Sequence, residues 1–570
     1  MAQDYKDTES TVAPEQQATF THRQILAILT GLLLGMFLAA LDQTIVATAM
    51  RTIADDLNGY SLQAWVTTAY LITATIVTPL YGKLSDIYGR KSFFMAAIAL
   101  FVFGSVLCTF AQSMPMLAVF RAIQGLGAGG LFSLALAIIG DIVPPRERAR
   151  YQGYFMAVFG TSSVLGPVIG GLLAGQESIF GIAGWRWVFL VNAPIGLLAL
   201  AVVWRVLHLP PVHRLVRIDW WGALTLTIGL VPLLVVAEQG QSWGWGSPRS
   251  LTCYAIGVVG ISAFVVVEYF MGDSALFPLR FFRNQTFALG VVISFLVGAV
   301  MFGAIIIVPQ YLQVVKGSSP TMSGFQMLPA VLGIAIGSIL SGQLISRTGR
   351  YRIFTILGAV LTAVAAVLLH SVTADTSLPV FMVFIFVLGL GLGNLLQPLT
   401  LAIQNALPPK NMGVSTAAAT FFRQIGGTMG VALFLSILFA KLTPAITTQL
   451  EDAAQSPEFR QAVAAGLQSP DPAEAGIARA LATGDPSATH AAMQDTSFIE
   501  HLNATLAEPF KNGFAVAFEA IYPPIVVLAV AALVLILIWR EVPLRKKSGL
   551  AENAEDTVTD DTDGAAADTV

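Results

Sequence analysis

Residues 24–50 run for 27 positions between Arg23 and Arg51 with a single charged side chain, Asp42. A helix needs about 20 predominantly apolar residues to cross the hydrocarbon core of a bilayer. A carboxylate inside such a helix is costly unless it is protonated, paired or wetted, and ionisable groups so placed mark ion pathways and proton relays. Asp42 is therefore expected to carry a proton, with a hydrogen-bonded structural Asp as the plainer alternative. A second charge, Arg121, falls in another apolar window that starts near Pro115. If successive windows cross in opposite directions, Asp42 and Arg121 both lie roughly 10 Å below the same surface, at 1.5 Å per residue. A carboxyl group that alternates between an apolar setting and the neighbourhood of a guanidinium takes up a proton in one and releases it in the other.

The rest of the chain supplies the elements that must hold such a pair. It is 55% apolar and only 11% charged, against about 25% charged in soluble domains. Apolar windows of spanning length recur fourteen times, near 24–50, 61–81, 91–112, 115–141, 151–174, 186–207, 218–238, 251–270, 286–309, 325–344, 352–371, 378–403, 413–440 and 515–539. They do not alternate with period 2, so the expected fold class is an all-α membrane protein. With a cytoplasmic N-terminus, twenty-one Lys and Arg residues fall on the inner side and four in the short outer loops. The positive-inside rule then places both termini in the cytoplasm. Asp141, Glu238 and Glu268 sit at window ends, where a solvated boundary position is expected. Residues 442–512, with nine acids and three bases, read as a long outer loop or a folded cap. Residues 548–570 carry seven acids and no base, as expected of a disordered tail. Cys108 and Cys253 lie in apolar runs and read as buried thiols. No cleavable signal peptide is expected in the polar residues 1–22.

A repeat organises the windows. Gly82-Lys83-Leu84-Ser85-Asp86-Ile87-Tyr88-Gly89-Arg90-Lys91 follows the second window, and Gly342-Gln343-Leu344-Ile345-Ser346-Arg347-Thr348-Gly349-Arg350-Tyr351 follows the tenth. Both fit G-x-L-x-(D/S)-x-x-G-R. Windows 1–6 thus repeat as 9–14, with 7 and 8 inserted, and symmetry of this kind marks transporters whose halves rock about a central site. The expected organisation is a tail at 1–23, a six-helix bundle at 24–207, two inserted helices at 208–285, a second bundle at 286–540 and a tail at 541–570. Arg423, near mid-membrane in window 13, needs an acid, a carbonyl or water. It is either a tie between bundles or a proton-path group. The cavity between the halves is expected to be large and apolar, with Trp65, Tyr70, Phe155, Phe159, Gln310, Asn394 and Gln397 as candidate lining residues or as ordinary packing. An acid among aromatics would suit a lipophilic cation. No phosphate-binding loop and no clustered His/Cys spacing appears. An enzyme is therefore not expected, no cofactor or metal is implied, and an ion gradient remains as the driving force.

These residues together resemble the major facilitator superfamily, and within it the fourteen-span drug:proton antiporters of the EmrB/QacA kind. The 82–91 turn is similar to the superfamily's signature loop; in the second copy Ser346 replaces the acid. Leu41-Asp42-Gln43-Thr44-Ile45-Val46 resembles that branch's first-span motif. Arg121-Ala122-Ile123-Gln124-Gly125-Leu126-Gly127 resembles a motif implicated in proton transfer. Gly160 and Gly166-Pro167-Val168-Ile169-Gly170-Gly171 resemble the antiporter motif, with the first glycine two positions early. Trp185-Arg186-Trp187-Val188-Phe189, Asn192-Ala193-Pro194-Ile195-Gly196 and Phe422-Arg423-Gln424-Ile425-Gly426-Gly427 resemble the branch's sixth- and thirteenth-span motifs. The resemblance implies proton coupling at Asp42 and Arg121, an inner gate at Gly82, Asp86, Gly89, Arg90 and Lys91, and a hinge or seal at Gly166, Pro167, Gly170 and Gly171. It implies a proton-coupled antiporter of the cell inner membrane that exports hydrophobic, cationic drugs or dyes. The alternatives are export of an endogenous amphiphile and a non-transporting sensor or scaffold. The expected partners are the substrates, protons and the lipid bilayer, with no nucleic acid. The expected working form is a monomer, with a periplasmic adaptor as an option.

Overall fold

The computed structural model describes residues 21–57, 63–207, 219–483 and 498–545. The readings of the N-terminal tail before residue 21 and of the acidic tail at 548–570 lie outside it. Long apolar helices dominate: α1 His22–Asp56, α2 Gln63–Tyr88, α3 Arg90–Thr109, α4 Met114–Ile142, α5 Pro145–Ala174, then short α6 Arg186–Leu190 running into α7 Asn192–Val206. The inserted pair is α8 Trp220–Trp243 and α9 Pro248–Met271. The second half holds α10 Gln285–Val314, short α11 Pro320–Gln326, α12 Leu328–Thr348, α13 Arg352–His370, α14 Leu378–Ala406 and α15 Met412–Ala454. It closes with α16 Pro457–Gly466, α17 Pro472–Thr483, α18 Phe498–His501, α19 Ala504–Glu519 and α20 Tyr522–Ile538. A two-residue hairpin, β1 Ser178–Ile179 and β2 Ile182–Ala183, turns the chain after α5.

Thirteen helical segments among the described residues are long and apolar enough to cross a membrane. The fourteenth expected window falls on α2, which is 26 residues long but has five threonines between Thr67 and Thr78. Three of them return their hydroxyls to their own helix, Thr73 to Ala69 O, Thr75 to Leu71 O and Thr78 to Ala74 O. Such back-bonding satisfies the hydroxyl without a partner helix.

Packing repeats as the sequence does. In the first half α1 lies along α5 and α2 along α4; in the second, α10 lies along α15 and α12 along α14. Each half has its own apolar core. The halves meet where α5 packs on α12 and α2 on α15. Both repeat turns and the last described residues share one face, termed the basic face here. Gly349 ends α12 there in the left-handed region, at φ 73°, a conformation that favours glycine.

Residues 442–483 and 498–512 form a folded helical cap rather than a bare loop. The 43-residue α15 carries on through Pro444 beyond membrane length, and Phe459, Ile477, Phe498, Leu502 and Leu506 close a small core around it. Two boundary acids also depart from expectation. Glu268 is 1% exposed and accepts backbone N–H groups from Leu276 and Phe277 at 3.2 and 2.9 Å. Asp141 is 8% exposed and is paired, as described below. A carboxylate that finds donors costs less to bury than one left in an apolar end, which is why both turn inward. The side chain of Glu238 lies outside the described set.

Candidate functional site

Asp42 is fully buried. Its Oδ2 receives Arg121 Nη1 at 2.6 Å; its Oδ1 receives Gln124 Nε2 at 2.9 Å and Asn192 Nδ2 at 2.7 Å. Asn192 also donates to Ser105 Oγ at 2.9 Å, and Ser105 donates to the Phe189 carbonyl at 2.9 Å. The cluster thus draws on α1, α3, α4 and the α6–α7 junction. Sequence dictates part of this locally: Arg121 and Gln124 are three apart on α4, so they share a helix face, and Nη1 of the first also bonds Oε1 of the second at 2.8 Å. The ring of Tyr70 on α2 closes the cluster, with the Arg121 guanidinium carbon 4.1 Å from its centroid. That contact adds cation–π attraction to the ion pair. Close helix approach makes room for it. A Cβ on Gly125 would strike the Tyr70 backbone and Thr73, and one on Gly104 would strike the Gln124 backbone. Asp42 and Arg121 are therefore in direct contact, but inside the first bundle and sealed from its surface.

The basic face is held shut by two links between the halves. Asp86, at the end of α2, accepts backbone N–H from Gly413 at 3.1 Å and Val414 at 3.2 Å, at the start of α15. A carboxylate at a helix N-terminus meets both free donors and the positive end of the dipole. Arg90 fixes it in place: it pairs with Asp86 and, through Nε, with Asp141 Oδ2 at 2.7 Å. Gly82 packs directly on Gly413 and Ala417 of the other half. Gly89 adopts φ 100°, which lets the chain turn sharply into α3. Lys91 stands apart from the gate expected for it. Its Nζ caps the Trp204 carbonyl of α7 at 2.7 Å, within the first bundle, because a cation is best placed at a helix C-terminus.

The second link is Arg148, counted in the sequence as one more basic loop residue. It is fully buried, caps the carbonyls of Gly140 and Val143 at 2.6 and 3.1 Å, and reaches Gln404 of α14 at 2.5 Å. Gln404 in turn donates to the Leu136 carbonyl at 3.3 Å. Sequence reasoning gives Arg148 and Gln404 no individual role, quotes Gln124 and Asn192 only as members of motifs, and places Asp141 at a solvated boundary. The available signal was a polar residue inside an apolar run, which Gln124, Asn192 and Gln404 all are.

The glycine motif of α5 seals the first bundle rather than the seam between halves. A Cβ on Gly166 would collide with Thr44 of α1, and one on Gly170 would sit 2.9 Å from the Ile45 carbonyl. Gly171 has nothing within 4 Å, and α5 continues as helix through Pro167. Gly160 is the member that faces the other half, against Val331 of α12. Gly166→Ala is therefore expected to lose about 1–3 kcal/mol by overpacking. Gly171→Ala is expected to be neutral or to gain up to about 1 kcal/mol from helix propensity. Thermal unfolding of the two purified variants checks the contrast.

The cavity candidates scatter. Tyr70 and Phe155 are buried in the first bundle, Tyr70 as part of the Asp42 cluster. Phe159 is 38% exposed and stacks on Phe132 with centroids 5.3 Å apart. Trp65 and Gln310 are half-buried. Asn394 and Gln397 are buried on α14, where Asn394 donates to its own helix at Leu390 O, 2.8 Å away. Arg423 is half-buried and bonds Thr400 Oγ1 of its own half at 3.5 Å, with no bond to the other half among the described residues. Two apolar hollows of about 10 Å³ each lie within the second bundle, lined among others by Val300, Leu388 and Tyr522, and are too small for a drug.

Two matched helical halves, each with its own core, that meet along α5–α12 and α2–α15 and are latched at one face define a multi-pass membrane transporter, not an enzyme. The chain belongs to the Major Facilitator Superfamily, whose family model matches residues 32–431. It is 36% identical over 425 residues to the multidrug transporter protein MdtP of Bacillus subtilis, covering 74% of this chain and 77% of that one. It is likewise 36% identical over 427 residues to multidrug resistance protein 3 of the same organism, covering 75% and 81%. Among solved structures, the proton:xylose symporter XylE matches with a TM-score of 0.55 at 15% identity over 94% of this chain and 99% of that one. At that identity the match speaks for the fold alone.

Proposed function

We propose that this chain is a proton-coupled exporter of hydrophobic compounds that works by alternating access, with its basic face and both termini in the cytoplasm of a bacterial cell. The observation that carries the coupling is the buried ion pair of Asp42 and Arg121. Arg121, Gln124 and Asn192 all donate to Asp42, and a proton on that carboxyl would remove the ion pair and loosen the ties of α1 to α4 and α7. Taking up a proton and changing shape are then one event. The multidrug names of the relatives support a hydrophobic cargo. The positive-inside rule applied to the basic face supports the orientation, and the multidrug names of the relatives support export. Both oxygens of Asp42 are occupied, so this arrangement offers no free acid to a cationic drug at that position. Preference for cations is therefore not part of the proposal.

Cells loaded with a neutral dye, Nile red, and with ethidium test the reading. Efflux of at least one dye above vector controls is expected, and a protonophore is expected to stop it. Efflux that persists after the gradient collapses would remove the proton coupling. Absence of efflux for a broad dye panel would favour the sensor or scaffold reading.

A further inference from the structure

We infer that Arg423 anchors the anionic end of an exported amphiphile, a carboxylate in the space between the halves. This deepens the transport reading and rests on it. Arg423 lies eleven residues after Met412, the first residue of α15, which puts it about 16 Å into the membrane at 1.5 Å per residue, close to the bilayer midplane. A guanidinium at that depth must meet an acid, carbonyls or water. What the described residues offer is one long hydrogen bond to the Thr400 hydroxyl, at 3.5 Å. The side chain is half-buried rather than packed away.

Helix geometry says where it opens. Met429 and Leu433, 51% and 46% exposed, mark the outward side of α15. At about 100° per residue, Thr420 and Gln424 fall on the opposite side, the side on which Ala417 meets Gly82 of the other half. Arg423 lies between them and Gly426 and Gly430, which pack on α10, with its own backbone against Gly298. Thr420 is 3% exposed, and its hydroxyl finds no hydrogen-bond partner among the described residues; the Oε1 of Gln424 finds none either. Ser294, one helical turn before Gly298 on α10, has a hydroxyl in the same condition and is 1% exposed. Buried hydroxyls elsewhere in these helices, such as Thr362 and Thr416, bond back to their own backbone at 2.8 and 2.7 Å. The hydroxyls of Thr420 and Ser294 are unused donors beside a cation that has no acid among the described residues, whereas the Gln424 oxygen can only accept. A carboxylate fits this setting, because a guanidinium offers parallel N–H groups in the geometry of two carboxylate oxygens. One guanidinium also balances one negative charge, so a carboxylate suits it better than a dianionic phosphate. Asp42 does not compete, since its charge is spent on Arg121.

The test uses the full-length purified protein and a fluorescent fatty acid, 11-(dansylamino)undecanoic acid, against its methyl ester. Charge-assisted hydrogen bonds predict that wild type binds the acid at least about tenfold more tightly than the ester. Arg423→Gln is expected to bring that ratio to about one while ester affinity changes less than about twofold. Arg423→Lys is expected to keep part of the preference, and it serves as the second variant if the glutamine form unfolds early in a thermal scan. No preference in wild type, or an unchanged preference in a folded Arg423→Gln, overturns the assignment. Nile red export by the same preparation in proteoliposomes is read separately. If it proceeds while the acid preference is missing, the Arg423 site fails and the transport reading stands. If export is absent for Nile red and across the dye panel, the transport reading fails, and the anchoring role falls with it.

Discussion

Asp42→Asn is expected to leave a protein that inserts in the membrane, is less stable, and no longer exports under a proton gradient. The side chains are nearly the same size, so the effect comes from charge. In the wild type the carboxylate satisfies Arg121, Gln124 and Asn192 together. An amide accepts at one atom only and turns a donor either toward Arg121 or toward Gln124 and Asn192, and in both cases the Arg121 cation is left buried without a counter-charge. Breaking a buried pair from one side costs about 3–5 kcal/mol. The single variant should therefore unfold at clearly lower temperature in detergent. The double variant Asp42→Asn/Arg121→Gln removes the stranded cation and should recover much of that loss, because the two changes touch the same pair and are not additive. Export driven by a pH step in proteoliposomes separates stability from coupling. Both variants should lose it, while downhill exchange of Nile red persists in the double variant. Wild-type export by the folded double variant would show that the pair only holds the bundle together.

What could be read from the sequence follows a physical line. A charge inside an apolar run is expensive wherever the helix turns, so Asp42, Arg121 and Arg423 announced themselves, and counting residues along each window put Asp42 and Arg121 at one depth. Rotation about the helix axis is a different matter. Helices apolar on all sides carry no stripe that says which face meets which neighbour. For that reason the sequence does not assign Asn192 and Ser105 to Asp42, and it leaves Tyr70 and Phe155 open between cavity lining and packing; both pack inside the first bundle. Charges near window ends were ambiguous for a third reason. The positive-inside rule reports a side, not an environment, so Arg148 counted as one more loop cation although it is buried and bonded across the seam. Asp141 and Glu268 were read as solvated on the same ground. The cap formed by 442–483 and 498–512 is half legible: its helices have amphipathic spacing, but their docking on α15 depends on distant residues such as Phe510 and Phe514.

The latch at the basic face should release when Asp86 becomes Asn. Its two hydrogen bonds to the start of α15 are bonds to a charged acceptor, each worth about 1.5–3 kcal/mol, and the helix dipole adds to them. Arg90 would keep Asp141 but lose its second acid. Losing about 2 kcal/mol from one of two states shifts their ratio about thirtyfold toward the form open at that face. Arg148→Gln attacks the same closure from another side, by removing the contact with Gln404, and should shift the ratio in the same direction. The two latches meet at Asp141, which pairs with Arg90 and also attracts Arg148, so the double variant should open further than either single one without the two effects simply adding. Ala417 reports the change, because it is fully buried where α2 meets α15. With Cys108 and Cys253 replaced by serine, a cysteine introduced at Ala417 should react slowly with a membrane-impermeant thiol reagent added at the basic face. Asp86→Asn should speed that reaction about ten- to a hundredfold. Asp86→Glu should not restore the slow rate, because the glycines at Gly82 and Gly413 leave no room for a longer side chain between the helices. Equal labelling in all three forms would mean that Asp86 decorates the seam without holding it, and that closure comes from the other contacts between the halves, Arg148 with Gln404 and α5 on α12.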